Sequence, residues 1–418
     1  MAAVARGAGG RRGEEVAAAG VLLLLAWPLA TRADDASTTI ELYGFVQADA
    51  IADIGGRLDP DWDDAFRPSR ICIDGACGTD GQSSISIKQS RLGVKGAVPT
   101  GAGSAPVAFR FEFDLFGVGE DAGQTTYHVR HVYGAWRQLL AGRTYSLFMD
   151  SDASPSTLDY WGPPGMPFFT NVQFRWTPLQ SATRHVAVAI ERPGNDIDPG
   201  NLRLIEGLEG IEVQNDEEVP DLTAQFRHAG HWGHVQLAGI LRKVGFELRA
   251  EDDDEWIEGS ETGWGVNVGA VFNVLSLDKV LLQLVHGEGI ASYMNDGGMD
   301  LAPRAIYDAN DSLVDVEAEA IPLTGALAYY EHHWNDRWST STGYSYTEVD
   351  NTNFQDAGSF HKGEYASINL VYFPADNLMF GAEGLWGSLT RNDGAADDDV
   401  RVQFTAKFTF GTRFGPAQ

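Results

Sequence analysis

The sequence lacks the long apolar run that a transmembrane helix requires. Its mean hydropathy is -0.21, and no apolar stretch reaches the roughly 20 residues needed to cross a bilayer as a helix, which excludes a helical membrane protein. Basic residues are also scarce, since 30 Lys and Arg stand against 59 Asp and Glu among 418 residues, for a formal net charge of -29. This balance argues against a nucleic-acid-binding protein, which would need a basic surface.

Cysteine is nearly absent as well, because Cys72 and Cys77 are the two in the chain. They can close a small disulfide loop in an exported protein, since disulfides persist in oxidising compartments. A zinc site is the weaker alternative, because the nearest further ligands are Asp74 and Asp80, and structural zinc sites use cysteine and histidine. We therefore predict a disulfide, with no metal and no cofactor.

Aromatic residues, by contrast, are abundant. The chain has 11 Trp, 13 Tyr and 21 Phe, which supply enough apolar area to bury and so argue against a disordered chain. No proline- or serine-rich linker divides the sequence after its N-terminal segment. One continuous domain is therefore expected.

The N-terminal segment has the order of features that defines a secretory signal peptide. Basic residues come first, then an apolar stretch, then small residues before Asp34: Arg6, Arg11 and Arg12, then Val16 to Leu29, then Thr31 and Ala33. We predict a signal peptide at 1–33 and a mature barrel domain at 34–418.

Alternating side chains dominate the remainder and are clearest near the C-terminus. One face of that segment is apolar and the other polar or charged: Val400, Val402, Phe404, Ala406, Phe408 and Phe410 against Arg401, Gln403, Thr405, Lys407 and Thr409. In a soluble sandwich the polar face would meet bulk water, whereas in a transmembrane barrel the apolar face meets lipid and the polar face lines the lumen. Alternation alone leaves both architectures open.

The number of strands and the lengths of their connectors favour the barrel. Sixteen strands are expected, at 39–54, 83–98, 106–117, 125–137, 139–148, 171–178, 183–192, 220–229, 233–249, 262–274, 278–293, 315–331, 336–349, 363–373, 377–391 and 398–411. Short and long connectors alternate, as in outer-membrane barrels with tight periplasmic turns and long external loops. Because an open sheet edge would leave unpaired amides in hydrocarbon, the sheet must close. We predict an all-β, closed 16-stranded antiparallel transmembrane β-barrel around an aqueous channel.

The connector after the fifth predicted strand, at 149–170, is apolar and proline-rich, unlike an exposed loop. Folding inward against the barrel wall would remove its apolar side chains from water and would narrow the pore. This third external loop is therefore predicted to form a constriction, and its candidate residues are Asp150, Asp152, Asp159, Tyr160 and Trp161. The alternative is a packed surface loop or a subunit contact.

Five basic residues fall on strand faces that are predicted to line the lumen: Arg91, Lys95, Arg110, Arg130 and Arg175. Guanidinium groups around a constriction would lower the entry cost for anions, and their planar geometry suits carboxylates. The alternative is neutralisation by neighbouring carboxylates, and the candidates for this are Glu112, Asp114, Asp150 and Asp152.

Much of the net negative charge falls in the predicted external loops, in acidic runs at 59–64, 215–218 and 251–255. These runs would bind divalent cations, and their charge is screened beyond about 10 Å at 0.1 M salt. The expected partners are therefore small anionic solutes in the pore, lipid and lipopolysaccharide around the barrel, and divalent cations at the loops, with no nucleic acid.

Short motifs in the N-terminal half carry a family resemblance. They lie at 42–46, 88–96, 111–119, 124–126, 130–136, 140–150, 159–165 and 175–178, and together they resemble the DcaP-like outer-membrane porins. The resemblance implies a homotrimer of sixteen-stranded barrels in a Gram-negative outer membrane, taking up small anions such as dicarboxylates and aromatic carboxylates. Arg91, Arg130 and Arg175 lie inside matched motifs and carry over as pore-lining candidates, whereas Arg110 rests on alternation alone.

Two other classes are the alternatives to a porin: an outer-membrane barrel hydrolase and a secreted soluble β protein that binds carbohydrate. The sequence contains no Gly-x-Ser-x-Gly, His-Glu-x-x-His or Walker motif, and no propeller repeat. We therefore predict a channel that is not an enzyme. His228, His231 and His234 are interpreted as part of an interfacial turn rather than a metal site.

Overall fold

The computed structural model describes residues 37–101, 104–117, 126–205, 210–249, 256–275 and 277–415. The predicted signal peptide at 1–33 and the acidic run at 251–255 lie outside these ranges. The described residues form twenty strands and six short 3-10 helices, and no helix among them is long and apolar enough to cross a membrane.

The strands are β1 (Thr39–Asp53), β2 (Gln82–Ser86), β3 (Arg91–Val98), β4 (Val107–Gly117), β5 (Thr126–Trp136), β6 (Leu139–Tyr145), β7 (Thr170–Gln180), β8 (Arg184–Glu191), β9 (Glu212–Asp216), β10 (Asp221–Gly230), β11 (Gly233–Arg249), β12 (Ile257–Val274), β13 (Asp278–Glu288), β14 (Leu301–Tyr307), β15 (Leu313–Ala320), β16 (Pro322–Asn335), β17 (Trp338–Val349), β18 (Phe360–Ala375), β19 (Leu378–Arg391) and β20 (Ala396–Phe414). The 3-10 helices are Pro60–Trp62, Pro68–Arg70, Ile73–Gly75, Ser151–Ala153, Gly200–Leu204 and Ala291–Tyr293.

All strands except β14 and β15 belong to one antiparallel sheet, which closes because β1 pairs with both β20 and β3. β2 and β3 pair with successive parts of β1, so together they make one wall strand. β9 and β10 likewise share β11 as a neighbour and make another. The described part of the chain therefore forms a closed barrel of sixteen wall strands, which confirms the predicted fold.

β20 shows why this sequence makes a barrel wall. Phe404 and Phe408 are 59% and 48% exposed on the outer face, whereas Arg401 and Gln403 are completely buried on the inner face. Because successive side chains of a strand point to opposite faces, the apolar face meets lipid and the polar face turns to the lumen. Closure pairs the backbone amides that an open edge would leave unsatisfied in hydrocarbon.

One predicted strand is wrong. The segment 315–331 contains two strands: β15 ends at Ala320 and pairs with β14 in a separate hairpin, whereas β16 begins at Pro322 and joins the barrel. Between them, Ile321 is buried and its N–H donates to the Asp300 carbonyl. The alternation shifts by one residue at this corner, where Ala320 and Ile321 are both buried. A bulge within a single strand would cause the same shift, so the pattern alone does not show that the chain leaves one sheet for another.

Two apolar clusters fill part of the barrel interior. Their wall side chains come from β11–β13 and β16–β19, and they pack against residues from the connectors at 54–81, 146–169 and 289–300. The connector at 289–300 turns inward at Gly289, whose φ of 63° is unstrained only for glycine. β13 therefore ends before the predicted limit of 293. Burial of these apolar side chains, at about 25 cal/mol per Å², holds the connectors inside the barrel.

Candidate functional site

The connector at 146–169, called here the constriction loop, lies inside the barrel along its inner wall. Polar wall side chains bind its backbone in succession. Asn267 of β12, Gln283 of β13, Asn369 of β18 and Gln403 of β20 donate to the carbonyls of Phe148, Ala153, Ser156 and Leu158, at 2.9, 3.3, 2.7 and 2.9 Å. On β19, Glu383 accepts the N–H groups of Leu158 and Asp159, both at 2.8 Å. The loop therefore follows the wall from β12 to β20 and narrows the lumen.

Asp159 joins the constriction loop to a second connector. Its carboxylate accepts N–H groups from Phe66 at 2.9 Å, Trp161 at 3.1 Å and Gly162 at 2.8 Å. The Trp161 ring in turn donates to the Asn295 carbonyl at 2.6 Å, in the connector at 289–300. Three of the long connectors are thus tied together at the level of the constriction.

Asp159→Asn is expected to change how stability depends on pH. Burial raises the pKa of the Asp159 carboxyl from its usual 3.8 to about 6, against the opposing effects of the Gly162 N–H and the Arg401 guanidinium. The folded protein therefore takes up this proton more readily than the unfolded chain. The resulting stabilisation is complete below about pH 4 and is lost as the pH rises through about 6.

Urea unfolding of both proteins between pH 4 and 8 measures this effect. Wild type should lose stability relative to Asp159→Asn as the pH rises from 5 to 7. A difference that stays constant over this range would contradict the assignment of the proton to Asp159.

Three arginines converge on two buried carboxylates on the opposite part of the wall. Glu112 and Asp114 of β4 are 2% and 0% exposed. Arg110 lies 2.6 Å from Glu112, Arg91 lies 3.4 Å from Glu112 and 3.9 Å from Asp114, and Arg130 lies 3.0 Å from Asp114. These five residues, called here the arginine cluster, carry three positive and two negative charges. Neutralisation, the alternative raised by the sequence, is therefore incomplete.

A β-bulge positions Arg130 in this cluster. The register between β4 and β5 shifts between Glu112 and Phe113, so Arg130 and His131 are consecutive yet both buried on the inner side. Strict alternation placed Arg130 correctly but missed His131. This bulge contains neither glycine nor proline, so the sequence gives no indication of it.

Tyr160 connects the constriction loop to the arginine cluster. Its hydroxyl donates to Asp114 at 3.0 Å and lies 3.4 Å from an Arg130 nitrogen, while its ring stacks on Phe116 at 3.6 Å between centroids. The structure thus brings together a predicted loop residue and a predicted wall arginine.

Arg175 and Lys95 lie at either side of this cluster and differ in charge compensation. Arg175 donates to the Gln173 side chain at 2.9 Å and the Tyr145 carbonyl at 2.5 Å, and it has no carboxylate partner among the described residues. Lys95 forms an ion pair with Glu41 at 3.0 Å. Arg175 therefore has no direct ion-pair partner in the described ranges and feels Glu191 only at longer range, whereas Lys95 is directly paired.

The two remaining loop candidates, Asp150 and Asp152, face β10 and β11. Asp150 accepts from His234 at 2.8 Å, and Arg227 pairs with both carboxylates. Within the described ranges, Asp150, Asp152 and His234 are the one group of three whose atoms could hold a metal ion, but Arg227 already forms ion pairs with both carboxylates. The predicted turn is present at 231–232 between β10 and β11, and His234, the second residue of β11, lies on its inner face and is 4% exposed.

The cysteines lie apart from the pore. Cys72 and Cys77 are joined by a disulfide in the connector at 54–81. The bond closes the short loop around the 3-10 helix Ile73–Gly75, and it contributes no group to the constriction.

Comparison with known proteins now decides the family. Residues 30–410 match the family described as DcaP outer membrane protein. The chain belongs to the DcaP outer membrane protein family. No curated protein matches it.

Solved structures share the fold of this DcaP family member. The outer membrane channel DcaP of Acinetobacter baumannii is 23% identical, with 91% of this chain and 100% of that chain covered and a TM-score of 0.73. OmpF of Salmonella typhi is 12% identical, with 89% and 97% covered and a TM-score of 0.53. OmpT, an outer membrane protein of Vibrio cholerae, is 12% identical, with 91% and 100% covered and a TM-score of 0.52.

Family and fold together establish that this DcaP family member is a porin-type barrel of the Gram-negative outer membrane. The prediction of an outer-membrane barrel is confirmed. The alternative of a secreted soluble β protein is wrong, because the apolar face that it would have to bury is the exposed outer face of the barrel.

Proposed function

We propose that this protein is an anion-preferring porin through which small carboxylates diffuse. The observation that carries the proposal is the positive charge of the wall at the arginine cluster and Arg175. Three guanidinium groups share two carboxylates, and Arg175 has no carboxylate within ion-pair distance in the described ranges. Positive charge beside a water-filled constriction lowers the entry cost of anions. The planar guanidinium geometry favours carboxylates among them.

The overall negative charge does not oppose this proposal. The formal charge of -29 belongs to the whole chain, and the acidic runs at 59–64 and 215–218 lie in long connectors outside the wall strands apart from Asp216 at the end of β9. Salt screens exposed charges beyond about 10 Å at 0.1 M. Selectivity is therefore set by the groups nearest the ion's path.

The proposal extends to the assembly and to the absence of catalysis. We propose a homotrimer, since one solved form of Vibrio cholerae OmpT with this fold is a trimer, and we propose lipopolysaccharide and divalent cations as partners of the rim and the acidic connectors. A hydrolase is disfavoured by the missing nucleophile motifs. Gel mobility of unheated and heated protein tests the trimer.

Arg175→Gln is expected to lower the anion-to-cation permeability ratio while the barrel stays folded. The substitution removes a lumenal charge and leaves no buried acid without its partner, because Arg175 bonds to an amide and a carbonyl. Reversal potentials across planar bilayers in a KCl gradient measure the ratio.

The matched control is Arg413→Gln, which makes the same charge change at the exposed end of β20. It should leave the permeability ratio unchanged. A cation-selective wild-type channel would refute the proposed function, and an unchanged ratio in Arg175→Gln would show that Arg175 does not contribute to it.

A further inference from the structure

Lys407, on the inner face of β20, is a basic residue that the arginine cluster does not include. Its side chain is partly exposed, and its Nζ atom lies 3.9 Å from the centre of the Phe45 ring. Among the described residues it has no hydrogen-bond acceptor and no carboxylate within ion-pair distance. Lys407 therefore presents an ammonium group that has no direct ion-pair partner among the described residues.

The nearest acid on this part of the wall is already satisfied. Asp49 of β1 is 1% exposed, and its carboxylate accepts hydrogen bonds from four neutral side chains: Gln47, Gln89, Gln403 and Thr405. These neutral donors hold Asp49 within the wall. Asp49 therefore forms no direct ion pair with Lys407 and attracts it only at longer range.

Arg91 supplies a second positive charge beside the same ring. It stands directly opposite Phe45 in the pairing of β1 with β3, and its Cζ atom lies 5.4 Å from the ring centre. Lys407 and Arg91 are thus closer together than the Debye length of about 10 Å at 0.1 M salt. The Arg91 side chain is 19% exposed, and its ion-pair distances to Glu112 and Asp114 are 3.4 and 3.9 Å, so its charge also acts on the lumen.

Both cations lie just on the periplasmic side of the constriction loop. Gln89 and Gln403 each donate to the Leu158 carbonyl at 2.9 Å, which marks where the loop meets this wall. Arg91 is the next inward-facing residue after Gln89, and Lys407 is the second after Gln403. A strand rises about 3.3 Å per residue. A solute that passes the loop therefore reaches the two cations within two to four residues along the strands.

We propose that Lys407 and Arg91 form a binding subsite for the carboxylate group of a small organic anion, with the Phe45 ring as its apolar floor. The carboxylate accepts from the Lys407 ammonium, and the partly exposed Arg91 guanidinium adds a second positive charge beside it. The subsite rests on the proposed function and makes it specific, because it assigns to Lys407 a selectivity role that the arginine cluster does not perform.

Lys407→Gln and Lys407→Arg test the subsite, with benzoate as the probe. The affinity for benzoate is read from its block of KCl current through single channels in planar bilayers. Lys407→Gln should weaken it about fivefold, the Boltzmann factor of one ion contact in water, and Lys407→Arg should retain it. Heat-modifiable gel mobility verifies that each variant is folded.

The control is Lys279→Gln, an equal charge change at the periplasmic end of β13, which should keep the wild-type affinity. Equal benzoate block in Lys407→Gln and wild type would overturn the subsite, even with an anion-selective wild type. An equal loss in Lys279→Gln would also overturn it, because the effect would then be one of overall charge. A cation-selective wild type would instead refute the proposed function, and the benzoate comparison would still decide the subsite.

Discussion

Replacing Arg130 by Met is expected to lower the free energy of unfolding by about 3–5 kcal/mol, the usual effect of removing one partner from a buried ion pair. Arg130 lies 3.0 Å from Asp114, whereas the next guanidinium, that of Arg91, is 3.9 Å away. The substitution also removes the bond from Arg130 to the Tyr145 hydroxyl at 3.1 Å. Urea unfolding in lipid vesicles measures the loss.

A double-mutant cycle separates the ion pair from packing. Combining Arg130→Met with Asp114→Asn should recover much of the lost stability, because no buried charge is then left unpaired. Arg175→Gln, which has no acid partner among the described residues, should cost far less than Arg130→Met. Arg130→Met with wild-type stability would contradict the view that Arg130 compensates Asp114.

Removing the tip of the constriction loop is expected to raise single-channel conductance severalfold. Replacing 154–164 by two glycines would delete the segment that reaches the wall at Glu383 and Gln403, while Ala153 and Gly165 keep their own wall contacts on β13 and β17. The wider lumen should also discriminate less between anions and cations, because the path lies farther from the wall charges.

The external hairpin of β14 and β15 offers a matched control. Its turn at 308–312 lies outside the barrel sheet, and replacing it by a glycine linker of similar length should leave conductance unchanged. If the shortened constriction loop gave wild-type conductance in a folded barrel, some other element would have to set the width of the pore.

The barrel could be predicted from the sequence because its wall obeys one local rule. Side chains on β20 alternate between lipid and lumen over its whole length, and a closed sheet is the required consequence in hydrocarbon. The rule failed at 315–331, where β15 and β16 follow each other with only the buried Ile321 between them. Which sheet a strand joins depends on distant partners, and period-two alternation contains no information about them.

The inner-wall arginines were predictable in position, but the residues that they contact were not. Arg91, Arg110 and Arg130 were placed on inner faces by alternation, yet their sharing of Glu112 and Asp114 depends on neighbouring strands and on a bulge. Lys407 was on the correct face in the sequence pattern but lies outside the motifs that resemble the porin family. Its lack of a direct ion-pair partner among the described residues is a property of the folded wall alone.

Part of the constriction loop's attachment to the wall runs through its main chain, and this has a consequence for how such channels diversify. Asn267, Gln283 and Asn369 donate hydrogen bonds to backbone carbonyl groups, which every amino acid possesses. Substituting the exposed side chain of Ser156, which belongs to neither apolar cluster, therefore leaves these main-chain hydrogen bonds in place. The route of the loop and the chemistry that it displays are separable, so new solute preferences can evolve by point mutation without redesign of the scaffold.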